Sequence, residues 1–478
     1  MTRKFGTDGV RGIANLGLSA ELALGLGRAG ARVLAGAGHR RPRILLGRDT
    51  RLSGDMLEAA LTAGLESAGA DVVTAGVLPT PAVAVLTVQG GFDAGIVISA
   101  SHNPFAYNGI KFFSADGSKL PDAVEDQIES ELLGLETVEP PTGLALGRHR
   151  HWPEAAAAYR DWLLAQFTPD LKGLRIGLDM AHGAAAEIAP PVFRALGAEI
   201  VCIGDAPDGA NINAGCGSTA LDPLRTLVLE RGLDIGFAYD GDADRCLAID
   251  RTGRVADGDH ILAVLARWLE SRGCLPADTV VATVMSNMGL ERALAERGVR
   301  LVRSRVGDRY VLEDMRRTGA RLGGEQSGHV ILLDWAPGGD GVLTSLALLT
   351  ALLDLGETLE TATSDFVSYP QVQRQAAVSA GLRERVLRTP ERLALERRHL
   401  QELGDTGRLL LRPSGTEPVL RIMYEGQDLY QITAMADEML ALINALAARD
   451  ARDGTVAASE ATGWHGAGRA ESLRTFLE

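Results

Sequence analysis

Apolar and polar positions fall into blocks with two different periods. In three places a short apolar run enters a polar turn and then a helix-period stretch: RPRILLGRDTR (41–51) before Met56 to Ala68, LKGLRIGLDMAHG (171–183) before Ala184 to Leu196, and PADTVVATVMSN (276–287) before Gly289 to Arg297. Each helical stretch meets a glycine, and another apolar strand follows: GADVVTAG, GAEIVCIG and GVRLVRSRVG. Strand, helix and strand joined by short loops predict parallel pairing with a right-handed crossover. Recurrence near residues 44, 176 and 280 predicts three related α/β domains. The stretch 396–426 is expected to hold strands around turns, with a helix over 429–449, giving a smaller C-terminal α+β domain entered near Ser368-Tyr369-Pro370. The expected boundaries are 1–150, 151–252, 253–366 and 367–449. Residues 450–478, small, polar and Gly/Ala-rich, are expected to form a mobile tail.

Length agrees: 478 residues at roughly 150 per domain allow three or four domains. No apolar run approaches the roughly 20 residues that span a bilayer, and the first residues lack the apolar segment of an export signal. A formal net charge of −14 argues against a general nucleic-acid binder, although a local cation cluster can still hold a small anion. Cys202, Cys216, Cys246 and Cys274 form no C-x-x-C pair and have no zinc spacing, which suits a reducing cytoplasm.

Four polar segments interrupt this pattern. In GIVISASHNPFAYNGIKFF (95–113), Ser101 and His102 fall between two apolar runs and Lys111 lies inside the second. Pro104 disfavours a helical Asn103, so an exposed loop is expected. A serine here can carry a phosphoryl group. Acyl transfer would want G-x-S-x-G, which is absent, and Ser, Asn and Pro also simply make good turns. In DIGFAYDGDADRCLAID (234–250), an apolar strand runs into Asp240, Asp242 and Asp244, which alternate on an extended segment and so converge. Close carboxylates repel unless a cation joins them, and oxygen-only donors favour Mg²⁺ or Ca²⁺. An EF-hand fails, because Arg245 and Arg251 occupy its Gly and Glu positions. Few ligands and the adjacent arginine suit Mg²⁺ shared with a phosphate. In GGEQSGH (323–329), glycines frame Glu325, Ser327 and His329, a set able to grip sugar hydroxyls or an amine and to move a proton. In LRPSGTEP (411–418), Arg412 offers a planar fork, and Ser414, Gly415 and Thr416 can turn N–H groups and hydroxyls toward the same anion. Each segment alone also fits a plain loop; together they distribute one per proposed domain.

With SASHNP, DGDADR, GEQSGH and RPSGTEP in hand, the chain resembles the α-D-phosphohexomutase family over residues 1–448, and FGTDGVRG, NAGCGST, TVMSNMGLE and VGDRYVLE resemble its phosphoglucosamine mutase branch. The resemblance implies three related α/β domains and a smaller α+β domain around a central cleft. It implies that Ser101 carries the phosphoryl group and that Asp240, Asp242 and Asp244 bind Mg²⁺ together with a phosphoserine oxygen. It places Arg245 beside the transferring group, and Glu325 and Ser327 on the sugar. Arg412, Ser414, Gly415 and Thr416 hold the phosphate that is not transferred, while Arg11, His102, Lys111 and His329 line the cleft. The implied reaction interconverts glucosamine 6- and 1-phosphates through glucosamine 1,6-bisphosphate. It would supply UDP-N-acetylglucosamine synthesis in the cytoplasm, on a small hexosamine phosphate, without nucleic acid or membrane, and it allows a homodimer. His329 and Lys111 are the candidate general bases, and a hinge is expected near Ser368 to Pro370. Ala243 stands where many relatives have Gly, a change expected to matter little if its φ is negative. Ala220 stands where His is common. The competing readings are a phosphoglucomutase or phosphomannomutase, a Mg²⁺-dependent sugar-phosphate hydrolase, and a non-catalytic sensor.

Overall fold

The computed structural model describes residues 4–461 apart from 7, 36–40, 135–138 and 415–417. The chain divides into two compact units, Met1–Val367 and Ser368–Glu478.

The first unit contains three sheets. The first has β1 (Phe5–Gly6), β2 (Gly9–Ile13), β3 (Arg43–Arg48), β4 (Asp71–Val77), β5 (Ala94–Ile98), β6 (Tyr107–Ser114) and β7 (His149–His151), in the order β1-β2-β6-β5-β3-β4-β7. The second has β8 (Arg175–Asp179), β9 (Glu199–Ile203), β10 (Ile235–Tyr239), β11 (Cys246–Asp250) and β12 (Val255–Ala256), in the order β12-β11-β10-β8-β9. The third has β13 (Thr279–Thr283), β14 (Arg300–Ser304), β15 (Leu322–Gly324) and β16 (Val330–Leu332), in the order β14-β13-β15-β16.

One unit of topology repeats in all three. The strands β3, β8 and β13 pair in parallel with the next strand, β4, β9 and β14, across a crossover. On its other side each pairs in parallel with the first strand of an antiparallel hairpin: β5–β6, β10–β11 and β15–β16. These central strands are apolar on both faces, as helix-covered parallel strands must be: Leu45, Leu46, Ile176, Leu178, Val280 and Val281 are fully buried. The three hairpin turns are the segments that carry Ser101, Asp240 to Arg245, and Glu325 to His329. The repeat therefore places three polar loops at equivalent positions, outside the carboxyl ends of the parallel strands, where open α/β sheets bind ligands.

The second unit packs β17 (Gln371–Ala377), β18 (Gly407–Pro413) and β19 (Val419–Gly426) antiparallel in the order β17-β19-β18, with helices Pro390–Leu403 and Leu429–Ala461. Two expectations need correction. Residues 396–403 are helical, not strand or turn, because Pro390 sits in the first turn and Leu403 and His399 bury one side of the helix. The last helix runs from Leu429 to Ala461, so 450–461 of the expected tail are helical; residues 462–478 of the expected tail lie outside the described residues. All four cysteines are free thiols. Among the described residues no helix is long and apolar enough to cross a membrane.

Candidate active site

The turns of the first and second sheets meet. Ser101 Oγ donates a 2.6 Å hydrogen bond to Asp240 Oδ2 and lies 3.2 Å from His102 Nδ1. The serine is 1% exposed because Asp240 and Asn213 of the second domain bond to it, whereas the loop beyond it is exposed from Pro104 to Tyr107, so the expected exposed loop fails only at Ser101 itself. Ser101 itself has φ +52°.

Asp240, Asp242 and Asp244 are buried, and one oxygen of each lies within 4.8 Å of the others. Their convergence does not come from alternation along an extended segment. Residues 240–244 form a tight turn, with Ala243 at φ +55°. The expectation of a negative φ there is thus overturned, and alanine occupies the left-handed region that favours glycine. Asp242 Oδ2 accepts from Thr80 Oγ1 at 2.6 Å and from Lys111 Nζ at 2.9 Å. Asp242 Oδ1 and Asp244 Oδ1 are buried without a hydrogen-bond partner. Three buried carboxylates with two orphaned oxygens fit a hard divalent cation, since unpaired buried oxygens are otherwise costly.

The charges are arranged accordingly. Burial, and then the like charges of Asp244 and Asp242, raise the carboxyl of Asp240 well above its ordinary range. Burial would raise Asp242 too, but the Lys111 charge and the hydrogen bonds from Thr80 and Lys111 together hold the group below the usual carboxylate range. Lys111, 1% exposed, is raised despite burial by Asp242 and then Asp8, which lies 3.0 Å away. His329 is raised against burial to about 9 by Asp244, with Asp308 adding; its ring nitrogens lie 3.7 Å and 3.8 Å from these carboxylates. Both candidate bases therefore hold their protons near neutral pH. His102 behaves oppositely: burial, then Arg245 and Arg11, lower it to about 4.

Arg245 donates its backbone N–H to Asp240 Oδ1 at 3.2 Å, and its Nε lies 3.9 Å from Asp244 Oδ1. Arg11 pairs with Asp8. Glu325 Oε1 accepts from Gly307 N at 3.0 Å, and Ser327 Oγ reaches Glu325 Oε2 at 3.4 Å, so the third turn presents a pre-oriented carboxylate and hydroxyl. In the second unit Arg412 lies on β18 opposite Arg421; burial, then that neighbour, lower its guanidinium. Ser414 is buried and donates its N–H to Val419 O at 3.0 Å. Gly415 and Thr416 lie outside the described residues.

Sequence reasoning missed Asp8, Thr80, Lys119 and Asp308. Lys119 bridges Asp8 and Asp308, joining the first domain to the helix Asp308–Thr318 of the third. Asp8 lies in FGTDGVRG and Asp308 in VGDRYVLE, so the motifs contained them; what they lacked was the partner. Thr80 carried no signal.

Comparison with known proteins agrees with this architecture. Models of phosphoglucomutase/phosphomannomutase match in four parts: alpha/beta/alpha domain I at residues 2–138, domain II at 158–253, domain III at 257–369 and the C-terminal domain at 374–442. The chain is 50% identical over 444 residues to a phosphoglucosamine mutase of Thermoanaerobacter sp., covering 93% of this chain and 99% of that one. It is 52% identical over 445 residues to a phosphoglucosamine mutase of Streptomyces coelicolor, covering 92% and 98%. Among solved structures, a phosphoglucomutase/phosphomannomutase family protein from Burkholderia thailandensis superposes with a TM-score of 0.76 at 25% identity, over 93% of this chain and 98% of that one. With full-length relatives at this identity and a shared four-part architecture, the chain belongs to the phosphoglucomutase/phosphomannomutase family, the α-D-phosphohexomutases.

Proposed function

We propose that the protein interconverts glucosamine 6-phosphate and glucosamine 1-phosphate, with Ser101 as the phosphoryl carrier. The enzyme class follows from the family, and the amino sugar from relatives about half identical over nearly the whole chain that are named phosphoglucosamine mutases. The observation that carries the residue assignment is the buried Ser101 Oγ at 2.6 Å from Asp240 of the triad, a residue of the next domain 139 positions along the chain.

In the first half-reaction, the bond from phosphorus to Ser101 Oγ breaks and one to the sugar O1 forms; the O1 proton leaves and Oγ regains one. The resulting 1,6-bisphosphate turns over, and Ser101 takes back the phosphoryl group from O6. Arg245, Lys111 and protonated His329 supply positive charge where the transferring oxygens carry negative charge. His102, neutral near pH 7 and 3.2 Å from Oγ, is the ring able to receive and return the serine proton. Lys111 and His329 act through charge, a narrower role than the base the sequence allowed. Asp240, Asp242 and Asp244 would hold Mg²⁺, which would neutralise charge on the phosphoryl oxygens. Glu325 and Ser327 orient the sugar, and Arg412 and Ser414, with Gly415 and Thr416, grip a phosphate. The product would feed UDP-N-acetylglucosamine synthesis.

A coupled assay over glucosamine, glucose and mannose phosphates tests the substrate, and the fastest turnover is expected with the amino sugar. Intact mass after incubation with the 1,6-bisphosphate should show one added phosphate, absent from Ser101→Ala. Release of free phosphate without isomerisation, or full turnover in EDTA, would contradict the assignment.

A further inference from the structure

The backbone of Ser101 is held in a conformation that L-residues avoid, φ +52°. Its N–H donates to Ser99 Oγ at 2.9 Å, and Ser99 Oγ donates to Asp49 Oδ2 at 2.6 Å. Its carbonyl accepts two side-chain donors, Arg51 Nη2 at 2.8 Å and Asn213 Nδ2 at 2.9 Å. The same two side chains reach Asn103 O, at 2.8 Å and 3.2 Å. Arg51 also donates from Nη1 to Pro104 O at 2.6 Å and from Nε to Asp49 Oδ2 at 2.9 Å. This guanidinium is 1% exposed, and its bonds go to the serine loop and to the aspartate that anchors it. A surface arginine would not be committed in this way; burying one is worthwhile only if its donors are filled. Gly241, from the aspartate turn, packs on the same carbonyl: a Cβ there would stand 2.8 Å from Ser101 O and 2.8 Å from Asn213 Nδ2.

We propose that Arg51 and Asn213 are positioning residues for the nucleophile: through the carbonyls of Ser101 and Asn103 they hold the left-handed turn that aims Oγ at Asp240. The inference rests on Ser101 being the phosphoryl carrier. It also reaches further, because the two side chains come from different domains. Arg51 follows β3, whereas Asn213 lies between β9 and β10; Leu52 N donates to Gly209 O at 2.9 Å between these two segments, and Thr50 Oγ1 donates to His182 O, after β8, at 2.6 Å. The serine is thus in its working conformation only while the first two domains are seated on each other.

Asn213→Ala, Asn213→Asp and Arg51→Lys test this in the full-length protein with Mg²⁺. Each keeps Ser101 and the triad. A misdirected nucleophile should lower kcat, and the rate of phosphate uptake on Ser101 from the 1,6-bisphosphate, by roughly 10- to 100-fold, with KM changed by less than about threefold. Asn213→Ala removes the donor without adding charge, and Asn213→Asp removes it while keeping the volume, so the positioning role makes both slow. Wild-type uptake in both Asn213 variants, or a loss confined to KM, overturns the proposal. If Arg51→Lys does not fold, the Asn213 pair carries the test. If wild type itself takes no phosphate on Ser101, the underlying assignment fails instead.

Discussion

Lys111→Met removes a buried ammonium and keeps the length and apolar stem of the side chain, so its effect is chiefly electrostatic. In wild type Nζ lies 2.9 Å from Asp242 Oδ2 and 3.0 Å from Asp8 Oδ2. At an effective dielectric of about 20, one such pair at that distance is worth about 6 kcal/mol before desolvation. Breaking a buried pair on one side costs about 3–5 kcal/mol, because a carboxylate is left unpaired. Asp8 keeps Arg11 and Lys119, so the loss falls mainly on Asp242. In metal-free buffer the thermal midpoint should fall by roughly 6–10 °C, taking about 2 °C per kcal/mol for a large unit. The same substitution makes Asp242 a better oxygen donor. Mg²⁺ should therefore bind more tightly and raise the midpoint of Lys111→Met more than that of wild type, by about 1.4 kcal/mol for each tenfold gain in affinity. Adding Asp242→Asn should recover part of the stability in EDTA, since it removes the stranded charge. Differential scanning fluorimetry measures these midpoints, with and without Mg²⁺ for the wild type and Lys111→Met and in EDTA for the double variant. A Lys111→Met midpoint within about 2 °C of wild type in EDTA, or equal Mg²⁺ shifts in the two proteins, would refute the reasoning.

Tyr159 is fully buried and donates its hydroxyl at 2.5 Å to Asp340, which also caps the helix Gly341–Leu355. Tyr159→Phe should cost about 1–3 kcal/mol in thermal stability, read as a lowered midpoint in metal-free buffer. His329 has its proton affinity raised to about 9 in the folded state, so its contribution is complete below about 6.5 and is lost as pH rises through about 9. The metal-free stability should therefore fall between pH 7 and 10, by up to about 3 kcal/mol, and His329→Gln should flatten that slope. Ala243→Gly relieves about 1–2 kcal/mol of left-handed strain. It loses about 0.8 kcal/mol of buried methyl and about 0.4–1 kcal/mol through unfolded-state entropy, so the midpoint should stay within about 2 °C of wild type. A shift beyond about 4 °C would show that the turn depends on the methyl group for another reason.

What the sequence made legible was whatever is local. The strand–helix–strand repeat follows from period and turn residues, and the hairpin loops announce themselves as polar interruptions between apolar runs. What it hid depends on packing. Ser101 is flanked by residues that suit an exposed turn, yet it is buried, because the aspartate turn that meets it lies 139 residues away in sequence. The aspartates converge, but through the left-handed Ala243, and an alternation argument gets the outcome right for the wrong local geometry. Lys111 and His329 could not be separated as bases from sequence, because their charge is set by Asp242, Asp8, Asp244 and Asp308, two of which, Asp8 and Asp308, carried no assignment until the domains were brought together. Arg51 was invisible for the same reason: in GRDTR it resembles any charged turn residue, and only burial shows what it holds.

The ion pairs of the site form one chain rather than scattered contacts. From Asp242 it passes to Lys111, Asp8, Lys119, Asp308 and His329, and returns to the same turn at Asp244. Every cation stands between two carboxylates, and the members come from all three domains of the first unit. Buried pairs of this kind are poor stabilisers compared with apolar packing, so stability alone does not account for the arrangement. Geometry accounts for it better: a cation attracted from two sides stays centred, and a carboxylate held by a centred cation keeps its other oxygen in place. The chain ends on Asp242 Oδ2 and Asp244 Oδ2 and leaves both Oδ1 atoms without a hydrogen-bond partner. The ring thus fixes two of the three triad carboxylates from behind while leaving their remaining oxygens open, a way to pre-organise a cation site without neutralising it.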